Sequence, residues 1–381
     1  MTISFVGTRK PQLTRLEPLP YPVYFVNKNV KKWRSLMESD ELPENLESVY
    51  ESCIEGLDIW SVQTYVHLKQ RGLNVHLVPH FVPGQICVVS YHHLMLRDLP
   101  FNSYVVACRL DSARPAICEQ QTVMNRLCVE QATDHLMHHW PQPTLQPRDP
   151  ARGTRLETLS FKGGPLNLAA PFRDPAFLQQ LNELGIELRC STGDWLTQFR
   201  DWGNYTESDA VIAVRNLTQY DYRVKPAVKL INAWHAGCPA LLGPEPAYLD
   251  IQRSELDFIT VSTPQDVIGA LRRLQENPGL YQAMVENGLK RAAEFSTDRI
   301  AQQWRDLLAG PITEGYERWQ RQSTLQKLCR PLQFVQRALQ HKREVKHYLY
   351  HRDNGIRSSG AEVNLNGLDS YPANGLITAE A

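Results

Sequence analysis

The chain has 381 residues, 41 lysines and arginines against 41 aspartates and glutamates, and 42% hydrophobic side chains. Its length exceeds what one core usually supports, so two domains are expected. The balanced charge excludes a chain organised around a nucleic-acid-binding field and leaves any anionic ligand to local clusters.

No apolar run approaches the ~18–20 residues that cross a bilayer. The start MTISFVGTRKPQ has no signal-peptide hydrophobic segment, so the expected location is the cytoplasm. Eight scattered cysteines form no CxxC pair and no zinc spacing, which suits reduced thiols and no metal centre. GxGxxG, Walker A, GxSxG and Asp-x-Asp sequences are also absent.

After an N-terminal extension (1–20), a β/α rhythm starts at Tyr21. YPVYFVNKNV suits a buried strand, and Ile59 to Gln70 has apolar positions at helical spacing, ended by Gly72. NVHLVPHFV, ICVVSYHHL and SYVVACRL then read as strands of a largely parallel sheet, giving a Rossmann-like half over 21–145. The proline-rich stretch 138–153 breaks both helix and strand and holds the expected linker.

A second β/α series fills 146–310. RLETLSFKGG is strand and turn, DPAFLQQLNEL a helix, and GIELRC and DAVIAVR are strands. Pro226 to Ala236 is a helix, PALLG and FITVS are strands, and helices open at Pro264 and Pro278. Beyond it, Tyr316 to Arg352 carries nine lysines and arginines against two glutamates, with Trp319, Leu325, Leu328, Phe334, Val335 and Leu339 at roughly helical spacing. Pro331 is expected to kink or divide this extension (311–352), and a Gly/Ser/Asn-rich tail (353–381) reads as disordered. One reading lays the extension on an anionic membrane surface. The preferred one packs it back across the N-terminal half.

The chemistry concentrates between Phe161 and Tyr248. In the stretch from Lys225 to Tyr248, a helix opening at Pro226 would point free N–H groups beyond the edge of DAVIAVR, where doubly wound sheets bind ligands. Lys225 and Lys229, one turn apart, can reach one anion, and a diphosphate fits. Glu245, in the loop after PALLG, can accept hydrogen bonds from a ribose diol, or act simply as a helix-start acid. Gly163 and Gly164 permit close backbone approach to an anion, or a plain tight turn. In the first half, His92, His93 and Asp111 stand at or after strand ends as general-base candidates, with hydrogen-bonded structural roles as the alternative. His135-Leu-Met-His138-His139 lacks the Glu of a metal-binding helix and is set aside.

The run of strand, basic loop, then helix ending in a small residue, Gly, x, Pro resembles the C-terminal domain of GT-B glycosyltransferases. The likeness covers roughly half the chain, from LSFKGG to near Trp304. It implies an α/β protein of two Rossmann-like, doubly wound domains facing a cleft, plus a helical C-terminal extension. It also implies a nucleotide-diphosphate sugar as donor, a glycan, lipid-linked or small-molecule acceptor, and no required cofactor or metal. By position, Gly163, Gly164, Arg215, Lys225 and Lys229 would face the diphosphate and Glu245 would hold the nucleoside sugar, with Tyr248 also counted in the donor site. The Glu-x7-Glu pair of many retaining members is absent from the Pro226 to Ala236 helix, which leaves the stereochemistry open. A hexosyltransferase of polysaccharide assembly is the expectation. A non-catalytic scaffold of the same fold and a nucleotide-sugar epimerase are the alternatives.

Overall fold

The computed structural model describes residues 13–39 and 41–355. The first twelve residues of the N-terminal extension and the tail from 356 onward lie outside them. Two parallel sheets form the frame, each the core of one domain.

The first sheet has six strands: β1 (Val23–Val26), β2 (Val75–Val78), β3 (Ile86–Ser90), β4 (Tyr104–Cys108), β5 (Gln120–Val123) and β6 (Asp134–Leu136), in the order β2-β1-β3-β4-β5-β6. β3 and β4 are buried at every position, as strands covered on both faces must be. Alternate residues serve opposite layers. Phe25, Val88 and Val106 meet one core cluster, while Val26, Val89 and Val105 meet another.

β5 and β6 are absent from the sequence-based assignment, because QQTV and DHL carry no apolar alternation. Their polar groups are satisfied by distant partners. The Gln120 amide donates to the Tyr104 hydroxyl (2.6 Å) and the Pro311 carbonyl (3.0 Å), and Gln121 donates to Asp134 (2.7 Å).

The second sheet holds β7 (Thr158–Phe161), β8 (Glu187–Cys190), β9 (Ala210–Ala213), β10 (Ala240–Leu242) and β11 (Ile259–Thr260), in the order β11-β10-β9-β7-β8. All pairings in both sheets are parallel. The stretch 138–153 between the domains is not a loose linker. Trp140 is wholly buried, and Arg148 and Arg152 converge on the buried Asp209 carboxylate, with Arg148 Nη2 at 2.7 Å and Arg152 Nη2 at 2.6 Å. That carboxylate also accepts from the backbone N–H groups of Glu157 and Thr158 (2.9 and 3.0 Å).

The boundary expected at 310 moves to an earlier point. The helix Thr297–Leu307 leaves the second domain and returns to the first, where Ile300, Ala301 and Trp304 enter the core under β1 and β3. Thr313–Gln320 continues that layer through Tyr316 and Trp319. The 25-residue helix Arg330–Asn354 then covers the opposite face, with Phe334 packed on Phe101 and Arg337 paired with Glu119 at 2.8 Å. Pro331 opens this helix rather than dividing it, since proline at a first turn forfeits no internal hydrogen bond. The helix runs two residues into the expected tail. No helix among the described residues is long and apolar enough to cross a membrane.

Both sheets reverse strand order beside their first strand, so each offers a crevice beyond its strand ends. Two Rossmann-like α/β domains thus face each other across a cleft, which is the GT-B arrangement, with the chain's last helices folded back over the first domain.

Candidate active site in the interdomain cleft

In the second domain the crevice opens between β7 and β9. β7 delivers Lys162 and Gly163, and β9 delivers Arg215 two residues past its end. A cavity of about 380 Å³ lies there, walled on one side by Phe161, Lys162, Gly163, Arg215, Lys225 and Lys229. Across the cleft stand Gly56, Trp60, Leu110, Asp111, Met124 and His139 of the first domain.

The helix over this crevice spans Val228–Ala236, two residues shorter at its start than the sequence suggested. Lys225 closes the preceding helix, Gln219–Val224, and Pro226 sits in the bend between the two. No side chain caps the N-terminus of the second helix, so its leading amide groups remain available to an anion. The helix ends at Gly237, whose φ of 69° is the left-handed conformation that glycine adopts most readily.

Lys225 and Lys229 both reach the cavity. Burial, then repulsion from Arg215, pulls the Lys229 ammonium down to about 7, against the opposing attraction of Glu245. Its Nζ donates to the Lys162 carbonyl and lies 5.0 Å from the centre of the Phe161 ring. No carboxylate among the described residues is within ion-pair distance of it. Lys162 is also lowered by burial, with Asp201 at 3.3 Å opposing. Gly163 has little room for a side chain: a Cβ would stand 2.9 Å from the Phe161 ring and 3.4 Å from Lys229 Nζ.

Arg215 is 7% exposed and lies against Glu245, its Nε 2.8 and 3.1 Å from the two carboxylate oxygens. Burial alone would lower the guanidinium, but Glu245 outweighs it and holds the group charged. The placement departs from the sequence expectation for Glu245 and Tyr248. Glu245 is 2% exposed and committed to Arg215, and Tyr248 is wholly buried with Arg215 over its ring at 5.7 Å. Both support Arg215 from behind, and neither lines the cavity. Gly164 also stands back from it, beside Gln198.

On the opposite wall Asp111 pairs with Lys225 across the cleft at 2.5 Å. Burial pushes its carboxyl up, but the Lys225 ammonium outweighs this and keeps it below the usual range. The residue before it, Leu110, has a φ of 55°, a strained left-handed conformation for a branched side chain. His92 and His93 occupy a short 3-10 turn after β3 rather than the strand end itself, and neither lines the cavity. His93 Nδ1 accepts from the Lys28 amide at 3.2 Å, and His92 is solvent-exposed.

His139 enters the cavity wall unannounced by sequence. Its Nδ1 contacts the Trp140 carbonyl at 2.6 Å, which fixes the proton on Nδ1 and leaves the Nε2 lone pair available. Burial lowers its pKa, while the carbonyl bond and nearby Asp111 act in the other direction. Its ring packs edge-on against Trp60. The -His-His-Trp-Pro- context gave no sign of this, since the neighbour that sets the tautomer and the wall that sets the environment are products of the fold. Trp195, Phe199 and Trp202 extend the same cavity, with Trp195 bonded to the Ile54 carbonyl of the facing domain at 3.2 Å.

Residues 173–306 match the family described as "Glycosyl transferase-like". That segment holds most of the second domain, including Arg215, Lys225, Lys229 and Glu245. No curated protein matches the chain. Among solved structures, TarM is similar at 8% identity over 58% of this chain and 54% of its own, with a TM-score of 0.42. This chain therefore spans about half of TarM's length. Anabaena Alr3699/HepE, solved in complex with UDP and glucose, is 10% identical over 76% of this chain and 99% of its own, with a TM-score of 0.42. AviGT4, a glycosyltransferase involved in avilamycin A biosynthesis, is 15% identical over 76% and 99%, again at 0.42.

Proposed function

We propose that this protein transfers a sugar from a nucleoside-diphosphate donor to an acceptor hydroxyl within the interdomain cleft. One observation carries the reading: Lys225, Lys229, Arg215 and an uncapped helix N-terminus converge on one cavity beside the glycine turn after β7. A partly buried lysine whose charge is disfavoured is a site that an anion completes. The glycosyl transferase-like match over 173–306 supports the same assignment.

The diphosphate lies against Lys229 and the amide groups of the Val228–Ala236 helix, with Lys225, still paired to Asp111, adding its charge to the same wall. These fixed cations stabilise the charge that develops on the leaving diphosphate as the glycosidic bond breaks. That is the work a divalent ion does in other transferases, so the proposal requires no metal. On the acceptor side, His139 Nε2 takes the proton of the attacking hydroxyl, and the ionised Asp111 stabilises the imidazolium that forms. Closure of the two domains excludes water and suppresses donor hydrolysis. A hexosyl donor and a glycan or lipid-linked acceptor are the substrate classes proposed.

The test pairs binding with turnover. UDP, GDP and ADP are screened by thermal shift on the wild type and on Lys225→Ala/Lys229→Ala, and sugar transfer from the matching donor is followed with EDTA present. A nucleotide-specific shift lost in the double variant, with transfer that survives EDTA, is the expected result. His139→Gln is expected to keep the nucleotide shift while kcat falls about 100-fold or more. In the wild type the acid limb of kcat/KM that reports this base lies below the ordinary imidazole range, because the base has a lowered pKa in the free enzyme and must be neutral to act. No nucleotide shift in the folded wild type would replace the enzyme reading with a non-catalytic scaffold.

A further inference from the structure

The apolar residues of the C-terminal extension do not share one fate. Trp319 and Phe334 are buried against the first domain, but Leu325, Leu328, Leu332, Val335 and Leu339 are between 56% and 73% exposed. Leu332, Val335 and Leu339 are three or four residues apart on Arg330–Asn354 and form one stripe facing away from the domain, and Leu325 and Leu328 add exposed apolar surface on the short helix Thr324–Leu328 just before it. On the inward face, Phe334, Arg337, His341 and Tyr348 hold the helix down: Arg337 donates to the Ala116 carbonyl at 2.9 Å, and the Tyr348 hydroxyl to the Asp111 carbonyl at 3.0 Å.

Continuing the same spacing past Leu339 brings Lys342 and then Lys346, with Arg343 beside them, all exposed. Leu349 and Tyr350 follow at 39% and 63% exposure. The outward face is thus apolar along its first half, cationic through Lys342, Arg343 and Lys346 and closed by Leu349 and Tyr350, with exposed Lys327 near the start.

Two occupants suit an apolar stripe of this spacing. A second copy of the helix would need the stripe sustained over several heptads, whereas here the next two seam positions are lysines, which would be buried against like charge in a parallel pair and against leucine and valine in an antiparallel one. A bilayer surface imposes no such cost. Leucines enter the boundary between headgroups and acyl chains, while lysines and arginine on the same face meet anionic headgroups.

We propose that the outward face of residues 325–350 is a docking surface for an anionic lipid bilayer. Charge complementarity selects this occupant over a second copy. The helix ends at the cleft: Tyr220 of the second domain packs on His347, Tyr348 and His351, and Tyr348 bonds to the residue that faces Lys225. Docking therefore holds the cleft mouth near the lipid surface. The proposal stands independently of sugar transfer.

The test uses the full chain in co-sedimentation with vesicles of phosphatidylcholine alone and of phosphatidylcholine with phosphatidylglycerol. Wild type is expected to bind the anionic vesicles, less so at high salt, and to leave the neutral ones largely in solution. K342Q/K346Q weakens binding by about five-fold per lysine removed, and L332Q/V335Q/L339Q by about ten-fold or more. Because every substituted side chain is exposed, thermal unfolding of both variants should match wild type. Absence of vesicle binding, or equal binding to neutral and anionic vesicles, overturns the proposal. So does a concentration-dependent dimer by light scattering that disappears in L332Q/V335Q/L339Q without vesicle binding, which would give the stripe to a second copy.

Discussion

The depressed ammonium of Lys229 lets the donor site be tested by counting protons. With a pKa of about 7, the side chain is about half neutral at pH 7 and about nine-tenths neutral at pH 8. A diphosphate oxygen accepting from Nζ favours the charged form and raises the pKa on binding. UDP should therefore bring ~0.5 proton onto this site at pH 7 and ~0.9 at pH 8. Affinity follows the same linkage. Between pH 7 and pH 9 the charged fraction of the free protein falls from about one-half to about one-hundredth, a ~50-fold loss in affinity.

Isothermal titration calorimetry in two buffers of different ionisation enthalpy reads the uptake directly. The UDP phosphates are essentially fully ionised over most of this pH range, so the ligand adds little of its own. Lys229→Arg keeps the charge at every pH and should abolish both the uptake and the pH slope. A wild type that takes up no proton, with affinity flat between pH 7 and pH 9, would refute the placement of Lys229 on the anion.

Gly163→Ala should cost about ten-fold in UDP affinity, because a Cβ 2.9 Å from the Phe161 ring displaces the ring that packs on Lys229. Calorimetry checks the affinity, and an unchanged value would mean that the turn absorbs the methyl group without moving Lys229. Asp209→Asn should destabilise the fold by about 3–5 kcal/mol, since it leaves Arg148 and Arg152 without their shared buried carboxylate. Burial pushes that carboxyl up, but Arg152, the Glu157 amide and Arg148 hold it below its ordinary value. Its contribution is thus fully present above the unfolded pKa, about 3.9, and is lost as pH falls through the folded one. Urea unfolding of wild type and variant should accordingly converge at low pH.

The alternation of strand and helix was legible in the chain because parallel strands buried on both faces are written as apolar runs, as in ICVVS and AVIA. The same holds for the helix ending at Gly237, whose turn needs a residue that tolerates positive φ. Lys225 and Lys229 were legible as a pair because four residues of chain keep them close, although a bend at Pro226 between two helices, rather than one helical face, turns both towards the cavity. These are local properties, set by a few neighbouring residues.

What the tertiary structure decided depends on partners far apart in sequence. β5 and β6 are polar strands made tolerable by Tyr104, Pro311 and one another, so no pattern in QQTV or DHL announces them. Glu245 was chemically suited to a ribose, yet the fold presents it with Arg215, and a buried guanidinium outcompetes a hydroxyl for a carboxylate. His92 and His93 lost their place at the cavity to His139, whose free nitrogen exists only because the Trp140 carbonyl holds the other. The extension's apolar residues were visible from the start, but only packing could sort Phe334 inward and Leu332 outward. Sequence determines which groups are present and which lie within a turn of each other, whereas distance, burial and charge between remote segments fix what each group is free to do.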